Sequence, residues 1–250
     1  MRRELVEVEE VDRIAARELM QDVLDDKFDR ARVRSRFDND IAAEAEELSY
    51  FLVGSDTRTF AILAVSFLED TLKVNFVDKW AIEKRKQHDA FFGSNGPLST
   101  FSQRTLIARA LKWWPEDLMR EIDALRRIRN EFAHNHRVHN LLEEPLLSWA
   151  SSLEERERIW DNDKAPNYQE AYAKADEETR LRMRIGCCVF GAVGLLLARS
   201  KLIDHDVPPE YREKGYFGLL KVEQDLLDTM IGYCFRCLKI EKSGLTDADA

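Results

Sequence analysis

The stretch from Thr57 to Ile82 constrains the fold most strongly, because it contains no glycine or proline and its apolar residues recur at helical spacing. The apolar positions are Phe60, Leu63, Ala64, Phe67, Leu68, Leu72, Val74, Phe76 and Val77. This pattern predicts a long central helix. The whole chain has only 10 Gly and 6 Pro in 250 residues, about half the usual share, and no strand-like alternation. We therefore predict an all-α fold.

Further helices are predicted on both sides of this segment. The expected ranges are 1–26, Asp40–Val53, Ser99–Trp114, a helix opened by Pro115, Asp176–Lys201 and Gly218–Lys239. Gly54 is a typical helix stop, and Ser55 or Asp56 should cap the central helix. The segment Gly93–Pro97 is rich in turn residues and is the clearest loop.

Composition and charge exclude several classes of protein. The chain has 44% hydrophobic residues, too many for a disordered protein. With 38 basic and 47 acidic residues its net charge is −9, which argues against coating nucleic acid by bulk electrostatics. Residues 51–150 have 14 basic and 13 acidic residues and four of the five histidines, so any phosphate contact is expected there.

One basic strip lies outside that middle region. Four arginines recur at every second position, at Arg30, Arg32, Arg34 and Arg36. They are compatible with a strip that contacts RNA or phosphate, or with a solvated linker balanced by nearby aspartates. We favour the linker, because runs of charge are usually solvated.

The cysteine content and the N-terminus predict a cytoplasmic protein. Four cysteines do not make a secreted disulfide scaffold, and no export signal is visible at the N-terminus. The longest uncharged apolar run, Ile185–Ala198, is too short for a membrane span and indicates a buried helix. We therefore expect no membrane association.

Two groups of residues admit a metal site as an alternative. Cys187, Cys188, Cys234 and Cys237 would form a four-thiolate site if their helices abut, but both pairs lie in apolar helical runs, which favours packing. His134, His136 and His139 have no carboxylate or thiol beside them at ligand spacing. We expect neither a metal nor another cofactor.

The helix after Pro115 contains an arginine on its apolar side. Leu118, Ile122, Leu125 and Phe132 form one stripe, and Arg129 falls inside it. A guanidinium there needs a carboxylate, a protein interface or an anionic ligand, because it does not deprotonate. The carboxylate candidates are Glu69 and Asp70 on the central helix. Asn130 and His134, four residues apart, are spaced to form a hydrogen bond that orients the imidazole.

Two segments carry a resemblance to a known family. The sequence "NGPLSTFSQR" at residues 95–104, followed by "RIRNEFAH" at residues 127–134, resembles the mannitol operon repressor (MltR) family of all-α proteins. The likeness covers about residues 45–200. It implies a helical core, which we assign to residues 41–200. The two ends are outside the likeness and are predicted to be additions: a helical N-terminal extension at 1–40, and a C-terminal helix packed on the core within 201–250.

The second segment also resembles the signature of HEPN domains, an arginine and a polar residue followed by a histidine. Arg129, Asn130 and His134 match it. The resemblance implies a homodimeric, metal-independent endoribonuclease, possible in toxin–antitoxin or phage-defence settings. His134 would be the general base or acid, Arg129 would stabilise phosphate charge, and Asn130 would orient the histidine. Arg104, Arg126 and His136 are the basic residues expected to bind RNA.

Two other functions stay open at this point. A non-enzymatic regulator, acting in transcription or through a protein partner, would use Arg104 and Arg129 as structural ion pairs. A small-molecule sensor would use a pocket between Trp113, Trp114 and the central helix, although core packing is the simpler explanation of these two residues.

Overall fold

The computed structural model describes residues 41–80, 82, 84–158, 166–202 and 221–240. The chain divides into two compact units, residues 1–43 and 44–250, and the candidate site belongs to the second. The predicted helix in 1–26 and the arginine strip at 30–36 lie outside the described residues.

All regular elements within the described ranges are helices, so the predicted all-α class is confirmed. They are α1 (41–54), α2 (Thr57–Lys79), α3 (Arg85–Phe92), α4 (Phe101–Ala110), α5 (Glu116–His134), α6 (Leu146–Ser151), a 3-10 turn (Arg156–Arg158), α7 (Pro166–Lys174), α8 (Glu177–Leu202) and α9 (Lys221–Cys237). No helix in these ranges is long and apolar enough to cross a bilayer.

The core lies where α2, α5 and α8 pack against one another. Large side chains of α2 and α5 that are fully buried there include Phe60, Phe76, Ile122 and Phe132. Helix α4 packs on α2 and α5, and α6 packs on α5 and α8. The long α2 predicted from its apolar spacing is thus a central element, and both motif-bearing segments lie against it.

Local sequence signals set several helix ends. The carboxylate of Asp56 accepts the backbone N–H of Thr59 at 3.0 Å and caps α2. Thr100 caps α4 by accepting from the backbone N–H of Gln103, and Pro115 precedes the first turn of α5. Helix α4 ends at Ala110, four residues before the predicted end at Trp114, because Lys112 adopts a left-handed backbone with φ 54°.

Helix α9 packs on α8 at very short range. A Cβ at Gly186 would lie 2.3 Å from the ring of Tyr233, so only glycine allows this approach. Cys187 and Cys234 meet at the same junction, with their Sγ atoms 3.2 Å apart. The neighbour that these small residues of α8 require is therefore α9 of the same chain.

The tryptophans considered for a sensor pocket pack into an aromatic cluster. Trp113 lies 4.8 Å from Phe76 and 6.0 Å from Trp80, measured between ring centroids. Trp114 packs edge-on against Trp113 and is only 4% exposed. These contacts confirm the packing interpretation for both residues.

Candidate functional site

The candidate site lies at the C-terminal end of α5. Glu116 and Asp117 in the first turn favour this helix by complementing its dipole. One face is buried in the core and includes Leu118, Met119, Ile122, Leu125, Ile128 and Phe132. The opposite face is open to solvent, and His134, the last helical residue, is exposed on it.

Glu69 of α2 joins the two motif-bearing segments. Its Oε1 accepts from Nη2 of Arg104 at 2.7 Å, and its Oε2 lies 3.5 Å from Nη2 of Arg129. Of the two carboxylates considered as partners for Arg129, the structure selects Glu69. The carboxylate is 17% exposed and therefore lies largely inside the protein.

The two arginines are held to different degrees. Arg104 is 5% exposed, and its Nε also donates to the carbonyl of Thr100. Burial lowers the pKa of Arg104, and attraction to Glu69 and Asp70 opposes this shift, so the group stays charged. The side chain of Arg129 is 29% exposed, and its Nε makes no hydrogen bond. Arg129 thus lies at the edge of the apolar face and not within it.

Asn130 supports Arg129, which differs from its expected role. Its Oδ1 accepts from Nη1 of Arg129 at 3.0 Å, and no hydrogen bond joins it to His134 within the described part of the chain. The expected Asn130–His134 hydrogen bond is therefore absent from this conformation. His134 is five positions after Arg129, which places the two side chains about 140° apart around α5. The helix ends at His134, so this residue is not confined by a further turn.

Arg58 of α2 is a residue that the sequence analysis missed. Its guanidinium donates to the carbonyls of Phe132, Asn135 (2.9 Å) and Val138 (2.8 Å). The carbonyl of Phe132 is one of those that the end of α5 leaves without a helical partner, and a cation is the favoured group there. Arg58 therefore fixes the backbone on both sides of His134. Its distance of 74 residues from Phe132 left no local signal.

The other residues expected to bind RNA lie in different surroundings. Arg104 is buried against Glu69, where it has little surface to offer a ligand. Arg126 points to Asp123, with Nε 3.6 Å from Oδ1, and is 22% exposed. His136 is exposed in the loop after α5. Of these three, His136 is the one placed beside His134 at the surface.

The two groups considered for metals do not converge on a site. Cys188 faces away from the Cys187–Cys234 contact, and its Sγ donates to the carbonyl of Glu154 at 3.4 Å. Burial raises the pKa of Cys188 to about 12, which suits a packing thiol. Among the residues that the structure describes, no group of three or more His, Cys, Asp or Glu side chains is arranged to hold an ion.

Comparison with known proteins gives no match: no protein-family model, no curated protein and no solved structure matches this chain. The likeness to the MltR and HEPN groups consequently rests on residues 95–104 and 127–134.

Proposed function

We propose that the chain is a HEPN-like endoribonuclease of the MltR type that works as a homodimer and needs no metal. One observation at the end of α5 supports the proposal: His134 is exposed, and the Arg129 guanidinium makes only a long contact to a carboxylate, Glu69, and has an Nε without a hydrogen bond. Arg104 makes the short contact with Glu69, and Arg129 keeps part of its surface open to an anion. This is how a phosphate-binding arginine is expected to be held.

The proposed reaction uses the RNA's own 2′-hydroxyl as nucleophile. His134 takes the proton of that hydroxyl, and the 2′-oxygen forms a new bond to phosphorus. The bond from phosphorus to the 5′-oxygen breaks, and a protonated His134 imidazole, of the same copy or of the second one, delivers a proton to that oxygen. The products are a 2′,3′-cyclic phosphate and a 5′-hydroxyl, so the atoms balance without water or an added reagent.

Each remaining residue has a role in this reaction. Arg129 stabilises the charge that builds on the phosphate oxygens. Asn130 holds the Arg129 guanidinium, and Arg58 holds the backbone around His134. The wide angle between Arg129 and His134 on one helix favours a site shared between two copies, with each copy supplying one of the two groups to a given phosphate.

The test is cleavage of mixed cellular RNA in EDTA by the wild type, His134→Ala and His139→Ala. His139 is the matched control, because it is an exposed histidine in the loop that follows α5. We expect cleavage by the wild type and His139→Ala and none by His134→Ala, with equal melting of all three proteins. Cleavage by His134→Ala at the wild-type rate would remove this residue from the reaction.

A second candidate is a regulator without enzymatic activity that acts through a protein partner. It is favoured by one observation: Glu69 links Arg104 and Arg129, as a structural ion-pair network would. In that case Arg129→Met should lower stability, and no RNA should be cut by any variant. The same cleavage assay therefore separates the two candidates.

A further inference from the structure

Two arginines, Arg120 and Arg127, lie on the exposed face of α5. Arg120 and Arg127 are both exposed, and neither lies within ion-pair distance of an acidic group in the part of the chain that the structure describes. They are seven residues apart, which on a helix means nearly the same direction and about 10.5 Å of rise. His134 follows after seven more residues. All three side chains therefore lie along one line on the surface of α5.

A shallow cavity of about 230 Å³ lies beside this line, between α5 and α6. Its lining residues are Arg120, Asp123, Ala124, Arg127, Trp149 and Ser152. The small side chain of Ala124 leaves space between the two guanidiniums. Trp149 of α6 is partly exposed and gives the cavity an aromatic wall. The cavity thus combines two exposed cations with one partly exposed indole.

The acidic groups around the cavity are already engaged. Asp123 accepts from Nη1 of Arg109 at 2.9 Å and also faces Arg126. Glu116 faces Arg109 at 3.2 Å, and Glu131 accepts from the side-chain amide of Asn135 at 2.8 Å. Asp117, in the first turn of α5, is exposed and makes no ion pair among the described residues. Local charge at the cavity is therefore set by Arg120 and Arg127, although the whole chain is acidic.

We propose that this face of α5 binds single-stranded RNA, with Arg120 and Arg127 on backbone phosphates and one base stacked on Trp149. Guanidiniums that contact phosphates and aromatic rings that stack on bases are the groups that bind single strands. A separation of about 10.5 Å corresponds to about three stacked nucleotides at 3.4 Å each. The strand then leads to His134. That the strand runs towards His134 rests on the proposed ribonuclease function, whereas binding of RNA at the cavity does not.

The test measures RNA binding separately from cleavage. A fluorescein-labelled single-stranded RNA of mixed sequence is titrated with His134→Ala protein, and binding is followed by anisotropy at several salt concentrations. In the same background, Arg120→Gln with Arg127→Gln should weaken binding at least roughly tenfold and lower the salt slope by about 1.4, since each phosphate contact contributes about 0.7. Trp149→Ala should weaken binding roughly fivefold or more, and Trp149→Phe should retain most of it.

The matched control is Arg85→Gln with Lys86→Gln, which removes the same charge from the exposed start of α3. It should leave the affinity and the salt slope unchanged. The proposal would be overturned if the control weakened RNA binding as much as Arg120→Gln with Arg127→Gln does. It would also be overturned if the protein with Arg120 and Arg127 intact did not bind RNA. If RNA binds at this face but the wild type does not cut it, the ribonuclease fails and the binding face stands. If the wild type cuts RNA, and Arg120→Gln with Arg127→Gln leaves RNA binding unchanged in the His134→Ala background and cleavage unchanged in the wild-type background, the face fails and the ribonuclease stands.

Discussion

Removing Arg104 and Arg129 one at a time should have unequal effects on stability, because Glu69 holds the first closely and the second loosely. Arg104→Met removes the 2.7 Å contact to Glu69. The Glu69 carboxylate, which is 17% exposed, then has only its 3.5 Å contact to Arg129. Breaking a buried pair costs about 3–5 kcal/mol. The remaining contact and partial exposure reduce this to about 2–3 kcal/mol. For a chain of this size the melting temperature should fall by about 4–12 °C.

Arg129→Met should cost about 1 kcal/mol or less, because Arg129 is 29% exposed and Glu69 keeps Arg104. From the sequence alone, a structural ion pair predicts a loss of about 3 kcal/mol or more for Arg129→Ala, because the buried carboxylate would be left uncompensated. Urea unfolding followed by far-ultraviolet circular dichroism measures both values.

A double-mutant cycle isolates the Glu69 contact from the loss of the Arg104 side chain itself. Glu69→Met in the Arg104→Met background should restore part of the lost stability, because it removes the unpaired charge. Equal losses from Arg104→Met and Arg129→Met, or no recovery in the double variant, would refute the arrangement described for Glu69.

Three other perturbations have defined expected outcomes. Arg58→Met should lower stability by about 2 kcal/mol, because it leaves the carbonyls around His134 without their donor, and Arg58→Lys should restore only part of this loss. Arg58→Met should also lower kcat for RNA cleavage more than it raises KM. Unchanged kinetics would exclude a positioning role for Arg58. Cys188, whose pKa burial raises to about 12, should react with a thiol reagent at pH 8 far more slowly in the folded protein than in urea, and equal rates would contradict its burial. Hydrogen bonds from Thr179 lower the pKa of Asp176, so the stability that this carboxylate adds is complete above its ordinary pKa and is lost as the pH falls through the lowered pKa. Asp176→Ala should therefore cost about 1 kcal/mol at pH 7 and progressively less below about pH 4. Acid unfolding of both proteins measures this, and a loss that does not change with pH would contradict it.

The longer helices could be predicted from the sequence because their signals are local, whereas the short helices α3, α6 and α7 were not predicted. The apolar spacing predicts α2, and Asp56, Pro115 and Asp176 mark helix starts within a residue of where the structure has them. The early end of α4 could not be predicted, because no turn residue marks the left-handed Lys112. That end brings Trp113 against Phe76, a contact between distant segments.

The candidate site could be predicted only in part. Periodicity placed Arg129 inside the apolar stripe, whereas its side chain lies at the edge of that face. Both Glu69 and Asp70 were offered as its partner, and the competition from Arg104 for Glu69 was not predicted. Arg58 left no signal, since its partners are backbone carbonyls, which every residue has. Side-chain pairs across 35 or more residues depend on how the helices pack, and helical spacing alone does not encode that.

The chemistry of the RNA ends tests the central claim most directly. A defined single-stranded RNA is incubated in EDTA with wild-type protein or with His134→Ala, and the product termini are identified by mass spectrometry. Attack by the 2′-hydroxyl predicts 2′,3′-cyclic phosphate and 5′-hydroxyl ends from the wild type alone. Ends that carry a 5′-phosphate and a 3′-hydroxyl, the same ends from His134→Ala, or intact RNA with both proteins would contradict the claim.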